Sequence, residues 1–470
     1  MGNNLSLSKL TLLYGAANIF SKGLTFIIFF VFTFFLKKEE IGLFDIILTS
    51  STLAVPLIAL QLYDGILRWC LNEEKDSPEI PKVISAVTIA FFLNVIIFSV
   101  IYWIFSLIVP IPFSILVYLF IICQAFYTIV LQFARSRSLN FVYAFSGVIY
   151  SAIFTLGSLA TLFASNLGLQ GVILANLLAV FTTLTYLLFK TGFFSYFRFG
   201  SFQLSLLSSM LLYTLPLIPN QMSWWAISES NRYMILYYLG LTANGLFAIA
   251  IKFPNILLTM HLIFNQAWQE KVIRLFGTEG SLTYFNDIIG KYLKLLLGLT
   301  ALAISFSKPV LPIIVDRTYF EVWKYLPLFY FAVCFQALAS FYGGGYLAAK
   351  RTSSAFYTTL VGASVNVSLN IILIPYFGLL GCAISLFVGN VVLFIVRYFH
   401  SKAFFPIEFP INNLMINIIF ISFFAVCSIA EDQRILFLNI IASVLYFIYL
   451  NKKLLLDFLH YGRSRLAERK

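Results

Sequence analysis

TLLYGAANIFSKGLTFIIFFVFTFFL, the stretch from Thr11 to Leu36, is apolar almost throughout and carries one charge, Lys22, near its middle. As a helix it is long enough to cross the roughly 30 Å hydrocarbon core of a bilayer, which takes about 20 residues. A lysine at that depth costs about 2.5 to 3.5 kcal/mol on insertion scales. A membrane protein keeps such a residue where water, a counter-ion or an anionic ligand meets it. The pattern returns from Leu241 to Asn265, around Lys252. Two central lysines predict a polar cavity inside a helical bundle and a negatively charged cargo. The competing reading is a lysine that snorkels to the headgroups, and central placement makes that harder.

Composition names the solvent. The chain is 61% hydrophobic and 11% charged, and Phe alone contributes 52 residues. Soluble domains are roughly 45–50% apolar and 25% charged. Fourteen apolar runs follow one another, at about 11–36, 41–64, 83–109, 112–133, 140–164, 169–189, 205–227, 235–264, 291–314, 325–348, 353–375, 379–399, 412–430 and 435–451. The eighth opens on an interfacial stretch, Tyr233 to Gly240. The longest connections are Cys70–Lys82, Lys190–Leu204 and Gln266–Gly290, and none has room for a folded soluble domain. The fold class read from this is an all-α polytopic membrane protein of about 14 transmembrane helices. The first run is too long for a cleaved signal peptide and ends in Lys37-Lys38-Glu39-Glu40, without a small-residue cleavage site. The five cysteines lie in or beside predicted helices, in no metal-like spacing, and read as packing residues.

Lys and Arg set the orientation. With the N-terminus inside, only Lys37, Lys38, Arg232, Lys308, Arg317, Lys324 and Arg434 fall outside, and Lys22 and Lys252 fall within spans. The others of the 31 lie on inside loops and helix ends. The bias predicts an even helix number with both termini cytoplasmic. The net charge of +12 is then mostly this signature, not a sign of nucleic acid. The basic tail from Lys452 to Lys470 reads first as a topology anchor, with contact to anionic lipid as the alternative.

The chain also repeats itself. Gly42-Leu43-Phe44-Asp45-Ile46 is matched by Gly245-Leu246-Phe247-Ala248-Ile249, Gly168-Leu169-Gln170-Gly171 by Gly378-Leu379-Leu380-Gly381, and Gln124-Ala125 by Gln336-Ala337. The offsets are nearly equal, which suggests a six-helix unit duplicated in tandem, a common transporter plan. The expected organisation is an N-terminal six-helix lobe over 1–190, a cytoplasmic linker over 191–204 and a second six-helix lobe over 205–402. A transmembrane hairpin over 403–452 and a basic tail over 453–470 follow. The lobes are expected to rock about the linker, with Phe193, Phe194, Tyr196 and Phe197 as aromatic anchors in the headgroups.

Polar stripes mark the faces expected to line the cavity. Run one carries Asn18, Lys22 and Thr25; run two carries Asp45, Thr49 and Thr52, then Gln61, Asp64 and Arg68. Run eight carries Asn244, Lys252, Asn255 and Thr259, and run eleven carries Thr359, Gly362, Asn366 and Asn370. Small and amide residues are also the ordinary glue between membrane helices, which accounts as well for the Asn, Thr and Gly positions. It does not account for the lysines. Asp64 and Arg68 have a simpler reading as an i,i+4 pair. Pro216, Pro219, Pro254 and Gly343-Gly344-Gly345 mark helix breaks, with close packing as the alternative for the glycines. There is no Walker A loop, no histidine ligand set and no Ser/His/Asp arrangement, so no enzyme or cofactor is indicated.

Three patches carry a family resemblance: Phe20-Ser21-Lys22-Gly23-Leu24, Glu229-Ser230-Asn231-Arg232-Tyr233-Met234-Ile235 and Gly245-Leu246-Phe247-Ala248-Ile249-Ala250-Ile251-Lys252. They resemble segments of bacterial Wzx-type polysaccharide flippases, of the multidrug/oligosaccharidyl-lipid/polysaccharide exporter superfamily. Asn231 stands where such segments usually have an acid. The resemblance implies a flippase of the bacterial cytoplasmic membrane. Its cargo would be an undecaprenyl-diphosphate-linked oligosaccharide for O-antigen, capsule or exopolysaccharide synthesis. Lys22 and Lys252, with Arg68, would meet the diphosphate. Asn18, Thr25, Asn255 and Asn366 would line the polar cavity, and Asp45 and Asp64 are the candidates for ion coupling. Membrane lipids, and a polysaccharide polymerase with its chain-length machinery, are the implied partners. Two rivals stand beside this reading: a cation-coupled multidrug antiporter of the same fold, which predicts acids in the cavity, and a membrane glycan polymerase or ligase, which predicts a long external loop.

Overall fold

The computed structural model describes residues 7–71, 73–74, 76–165 and 167–467, with side chains from 20 to 456 except 72, 75, 166, 220, 227 and 352. Regular structure among them is entirely helical, and the fourteen apolar runs are helical over most of their length, three of them divided between two helices. Among the described residues, eleven helices are long and apolar enough to cross a membrane. Contacts divide the chain into two compact units, Met1–Ser230 and Asn231–Lys470.

The first unit contains α1 (Leu7–Phe35), α2 (Lys38–Ile58), α3 (Leu62–Cys70), α4 (Glu79–Ile108), α5 (Ser114–Ser136), α6 (Asn140–Ala164), α7 (Gly168–Thr191), α8 (Leu204–Thr214) and the first part of α9 (Leu217–Ala250). α2 starts where the Lys37 amide donates to Glu40 Oε2 at 2.8 Å, which satisfies one orphan donor of the helix end. The second run, read as one span to Asp64, is broken: Leu60 and Gln61 take left-handed φ of 48° and 54°. The carbonyls left at the end of α2 are met from α4, where the Asn94 amide donates to Leu57 O at 2.9 Å and Ile58 O at 2.8 Å. A bare carbonyl in lipid would cost several kcal/mol, so Asn94 is what allows the break. Phe29, Phe32, Phe44 and Phe154 interlock to form the core between α1, α2 and α6. On the opposite side, Phe92, Ile96, Val100, Ile104 and Leu107 of α4 are exposed, as lipid-facing positions are.

α6 and α7 form an antiparallel hairpin. A methyl group on Gly157 would stand 3.2 Å from Ala175 Cβ, and one on Gly171 2.7 Å from Thr161 Cβ. Gly168, with φ of +52°, opens the returning arm. The stretch after α7 departs from the expected loose linker. Gly192 ends α7 at φ +62°, and Phe193 is fully buried against Phe126 and Phe133 of α5. Ser85 Oγ of α4 donates to Arg198 O and accepts from Arg198 N. Phe193 is therefore a core residue and not a headgroup anchor, because a ring enclosed by other rings has no access to lipid. α8 then packs on α3 and α4, with Gly65 close against Met210.

The second unit holds the rest of α9, then α10 (Lys252–Leu275), α11 (Ser281–Ile314), α12 (Leu326–Ala348), α13 (Thr352–Ser401), α14 (Ile411–Ile429) and α15 (Gln433–Ala467). Tyr233 to Leu239 is helix continuing from Leu217, not the opening of the eighth run. The turn falls at Gly240, whose φ of 80° and ψ of −174° suit only glycine. Pro216 separates α8 from α9, and Pro254, which lacks an N–H for the Ala250 carbonyl, marks the step from α9 to α10. Gly343–Gly345 do not bend α12. Each admits a different neighbour instead: a Cβ would stand 3.3 Å from Arg397 Nη1, 3.0 Å from Trp268 Nε1 and 2.4 Å from Phe405 Cδ1, respectively.

α13 is a second hairpin, turned at Gly378 with φ of +57°. Thr358 meets Arg397, Gly362 meets Leu393 and Asn366 meets Gly389, so one arm steps back as the other steps forward. Gly168 and Gly378, paired by the internal repeat, thus both take a positive φ, +52° and +57°, where the chain enters the second arm of a hairpin. α14 and α15 lie against α11, where Gly298 leaves room for Phe447 and Asn451. In the segment between α11 and α12, the Thr318 hydroxyl and amide both donate to Asp316 and hold its carboxyl below the usual carboxylate range. Cys70, Cys334 and Cys382 are buried, and Cys123 and Cys427 half-buried, in keeping with packing roles.

Candidate functional site

Lys22 sits on α1 next to Ser21, whose hydroxyl lies 3.6 Å from where a Cβ on Gly147 of α6 would be. Successive helical residues turn by about 100°, so Ser21 faces α6 and Lys22 stands out from that contact, exposed. It makes no ion pair among the described residues. Thr25 is half-buried and spends its hydroxyl on Ser21 O at 2.9 Å. The side chain of Asn18 lies outside the described residues.

Asp45 is buried on α2, 4% exposed. One turn on, the Thr49 carbonyl accepts from Trp225 Nε1 at 3.0 Å and from the Thr52 hydroxyl at 2.7 Å. Asp64 and Arg68 share α3 but do not pair. Asp64 Oδ2 accepts instead from Gln61 Nε2 at 3.0 Å, and Gln61 Oε1 accepts from the Tyr63 hydroxyl at 2.7 Å. The left-handed turn at Gln61 brings its amide back over the first turn of α3, which periodicity alone does not show. The positive charge that reaches Asp64 is that of Arg135 on α5. Arg68 is exposed.

In the second unit, Lys252 is the first residue of α10 and is half-buried. Asn255, one turn on, is half-buried, and its carbonyl accepts from the Thr259 hydroxyl at 2.8 Å. Asn366 is buried in an amide chain: Asn370 Nδ2 donates to Asn366 Oδ1 at 3.1 Å and to Asn231 Oδ1 at 2.5 Å. The chain ties α9 to α13 within the unit. Asn366 Nδ2 and Asn370 Oδ1 have no protein partner among the described residues.

Two groups escaped the sequence reading. Gln61 was seen only as part of a stripe, and its role depends on the break. Arg397, which by position reads as one of the inside basic residues, is buried between α12 and the two arms of α13. It donates to Ala339 O at 2.9 Å, Thr359 Oγ1 at 2.8 Å and Thr358 Oγ1 at 3.3 Å. Thr358-Thr359 and Arg397 lie on facing arms of the α13 hairpin, and Gly343 lies on α12 beside them, a grouping that only the fold brings together.

Among the described residues no His/Cys/Asp/Glu group could hold a metal ion. What stands out is cationic, amide and hydroxyl groups carried on the helices. The lipid II flippase MurJ in an inward closed conformation has the same fold, with a TM-score of 0.69 at 14% identity, covering 95% of this chain and all of that one. An inward-facing multidrug resistance MATE family transporter of the MOP superfamily has a TM-score of 0.66 at 14% identity, covering 86% and 96%. The MATE multidrug transporter DinF-BH has a TM-score of 0.55 at 14% identity, covering 87% and 98%. None of the curated proteins compared with the chain is a match. Residues 7–268, more than half of the sequence, match the family described as polysaccharide biosynthesis protein, and the chain belongs to that family.

Proposed function

We propose that the chain is a flippase that turns an undecaprenyl-diphosphate-linked oligosaccharide across the bacterial cytoplasmic membrane for surface polysaccharide synthesis. The observation that carries this reading is Lys22: an exposed cation without an ion pair among the described residues, on an apolar helix of a polysaccharide biosynthesis protein. A charge kept there against its insertion cost needs an anion to meet, and the diphosphate supplies one. In this reading Lys252, with Arg68, meets the same cargo. Asn18, Thr25, Asn255 and Asn366 serve the sugar hydroxyls, and Asp45 and Asp64 are the coupling acids. The six-helix lobes over 1–190 and 205–402 exchange access by rocking. The matched positive-φ glycines at 168 and 378 support the duplication behind that division. Both termini lie in the cytoplasm, and a polymerase with its chain-length machinery takes over the exported units.

The test is export of the lipid-linked glycan in cells carrying Lys22→Gln or Lys252→Gln, with protein abundance measured beside it. Either substitution should abolish or sharply reduce export while abundance stays normal, since a neutral residue inserts more easily. Arg at either site should keep part of the activity. Normal export from both Gln variants would overturn the cationic site. Loss of drug efflux with intact glycan export would favour the antiporter.

A further inference from the structure

We propose that the pocket between α11, residues 317–324 and α15 binds a zwitterionic phospholipid headgroup carrying a primary ammonium, as in phosphatidylethanolamine. The pocket is an open cleft of about 640 Å3 near the ends of two helices long and apolar enough to cross a membrane. Trp323, Leu436 and Phe437 give it an apolar wall, and Lys308, Glu431 and Gln433 give it polar groups. Lys308 is fixed in place. Its ammonium donates to Ala430 O at 2.6 Å and Ile429 O at 3.1 Å and stands 4.2 Å from the centre of the Trp323 ring. That leaves one more N–H to donate. Glu431 is exposed at the same pocket, and its charge reaches Lys308, though the two form no ion pair among the described residues.

A cation and an acid lining one interfacial pocket match a headgroup that carries both signs. Its phosphate meets Lys308, and its ammonium donates to Glu431. The glycerol and upper acyl carbons lie on Trp323, Leu436 and Phe437. A glycerol headgroup brings no cation for Glu431, and a choline headgroup brings a cation without an N–H to donate. The lipid would fill the seam where the last helix pair meets α11.

The experiment is native mass spectrometry of the full chain in an equimolar mixture of phosphatidylethanolamine, phosphatidylglycerol and phosphatidylcholine with identical acyl chains. Phosphatidylethanolamine should be retained about tenfold over either of the others, the ratio given by about 1.4 kcal/mol, as one charge-assisted hydrogen bond supplies. Glu431→Gln, at an exposed position, should bring phosphatidylethanolamine down to the phosphatidylcholine level. Leu436→Trp, which fills the pocket, should lower retention of phosphatidylethanolamine. Equal retention of all three lipids, preference for phosphatidylglycerol, or an ethanolamine preference that survives Glu431→Gln would each overturn the proposal.

Discussion

Arg397 shows how a charge can be held inside a helical bundle by neutral groups alone. Its acceptors do not depend on it: the Thr358 and Thr359 hydroxyls each donate to Ala355 O, and Ala339 O belongs to a helix. Removing the guanidinium therefore strands no donor. A lysine in its place would keep the charge but lose the planar fork that reaches three acceptors. Arg397→Lys should lower stability by about 1–3 kcal/mol, and Arg397→Met should cost less, because a buried charge replaced by an apolar chain of similar length is often neutral. Thermal unfolding of both variants in detergent decides the order. If Met proves the worse, the charge itself is required, and binding of an anion becomes the explanation. The sequence shows Arg397 only as one basic residue near a helix end. Which side of a helix a charge faces is set by a hairpin partner forty residues away, and no local pattern contains that.

Helical elements were legible to different degrees. Apolar runs are set by the bilayer and appear in composition, so the expected runs are helical over most of their length. The positive-φ turn at Gly378 was marked by its residue type and by the repeat. The break at Leu60–Gln61 carries no glycine, and its support comes from Asn94 on another helix, so nothing local announces it. Asn94→Leu should leave the Ile58 carbonyl unmet, and Leu57 O with only the long bond from Leu60 N, and destabilise the protein by about 1–3 kcal/mol. Backbone hydrogen exchange should rise first over residues 57–62. Unchanged stability and exchange would mean that the carbonyls find another donor. In the other unit, Gly378→Ala meets open space beyond Leu239 but must hold φ of +57° with ψ of −137°, at a cost of about 1–3 kcal/mol. Gly381→Ala should be worse, since its methyl group would lie 2.4 Å from the Leu373 carbonyl oxygen. The melting temperatures of the two variants test that ranking.

For the whole molecule, fold class and family were legible because hydropathy and repeat spacing are properties of the full length. The candidate site was legible only as charges and stripes, and those cannot separate Lys22, which stands exposed, from Asn366, which is buried in an amide chain. The orientation read from Lys and Arg predicts that cysteines placed at Asn3 or Arg469, which lie outside the described residues, are labelled only after the inner side is opened. Labelling of either from outside intact cells would reverse the topology. The buried Phe193 and the Ser85–Arg198 pair bear on a different kind of experiment, assembly from pieces. A gene divided within codons 198–203 would seem to separate two independent products. Yet α8 packs on α3 and α4, so the first fragment would lack a helix that covers it. Expressed alone it should be degraded, and it should accumulate only when the second fragment is made in the same cell.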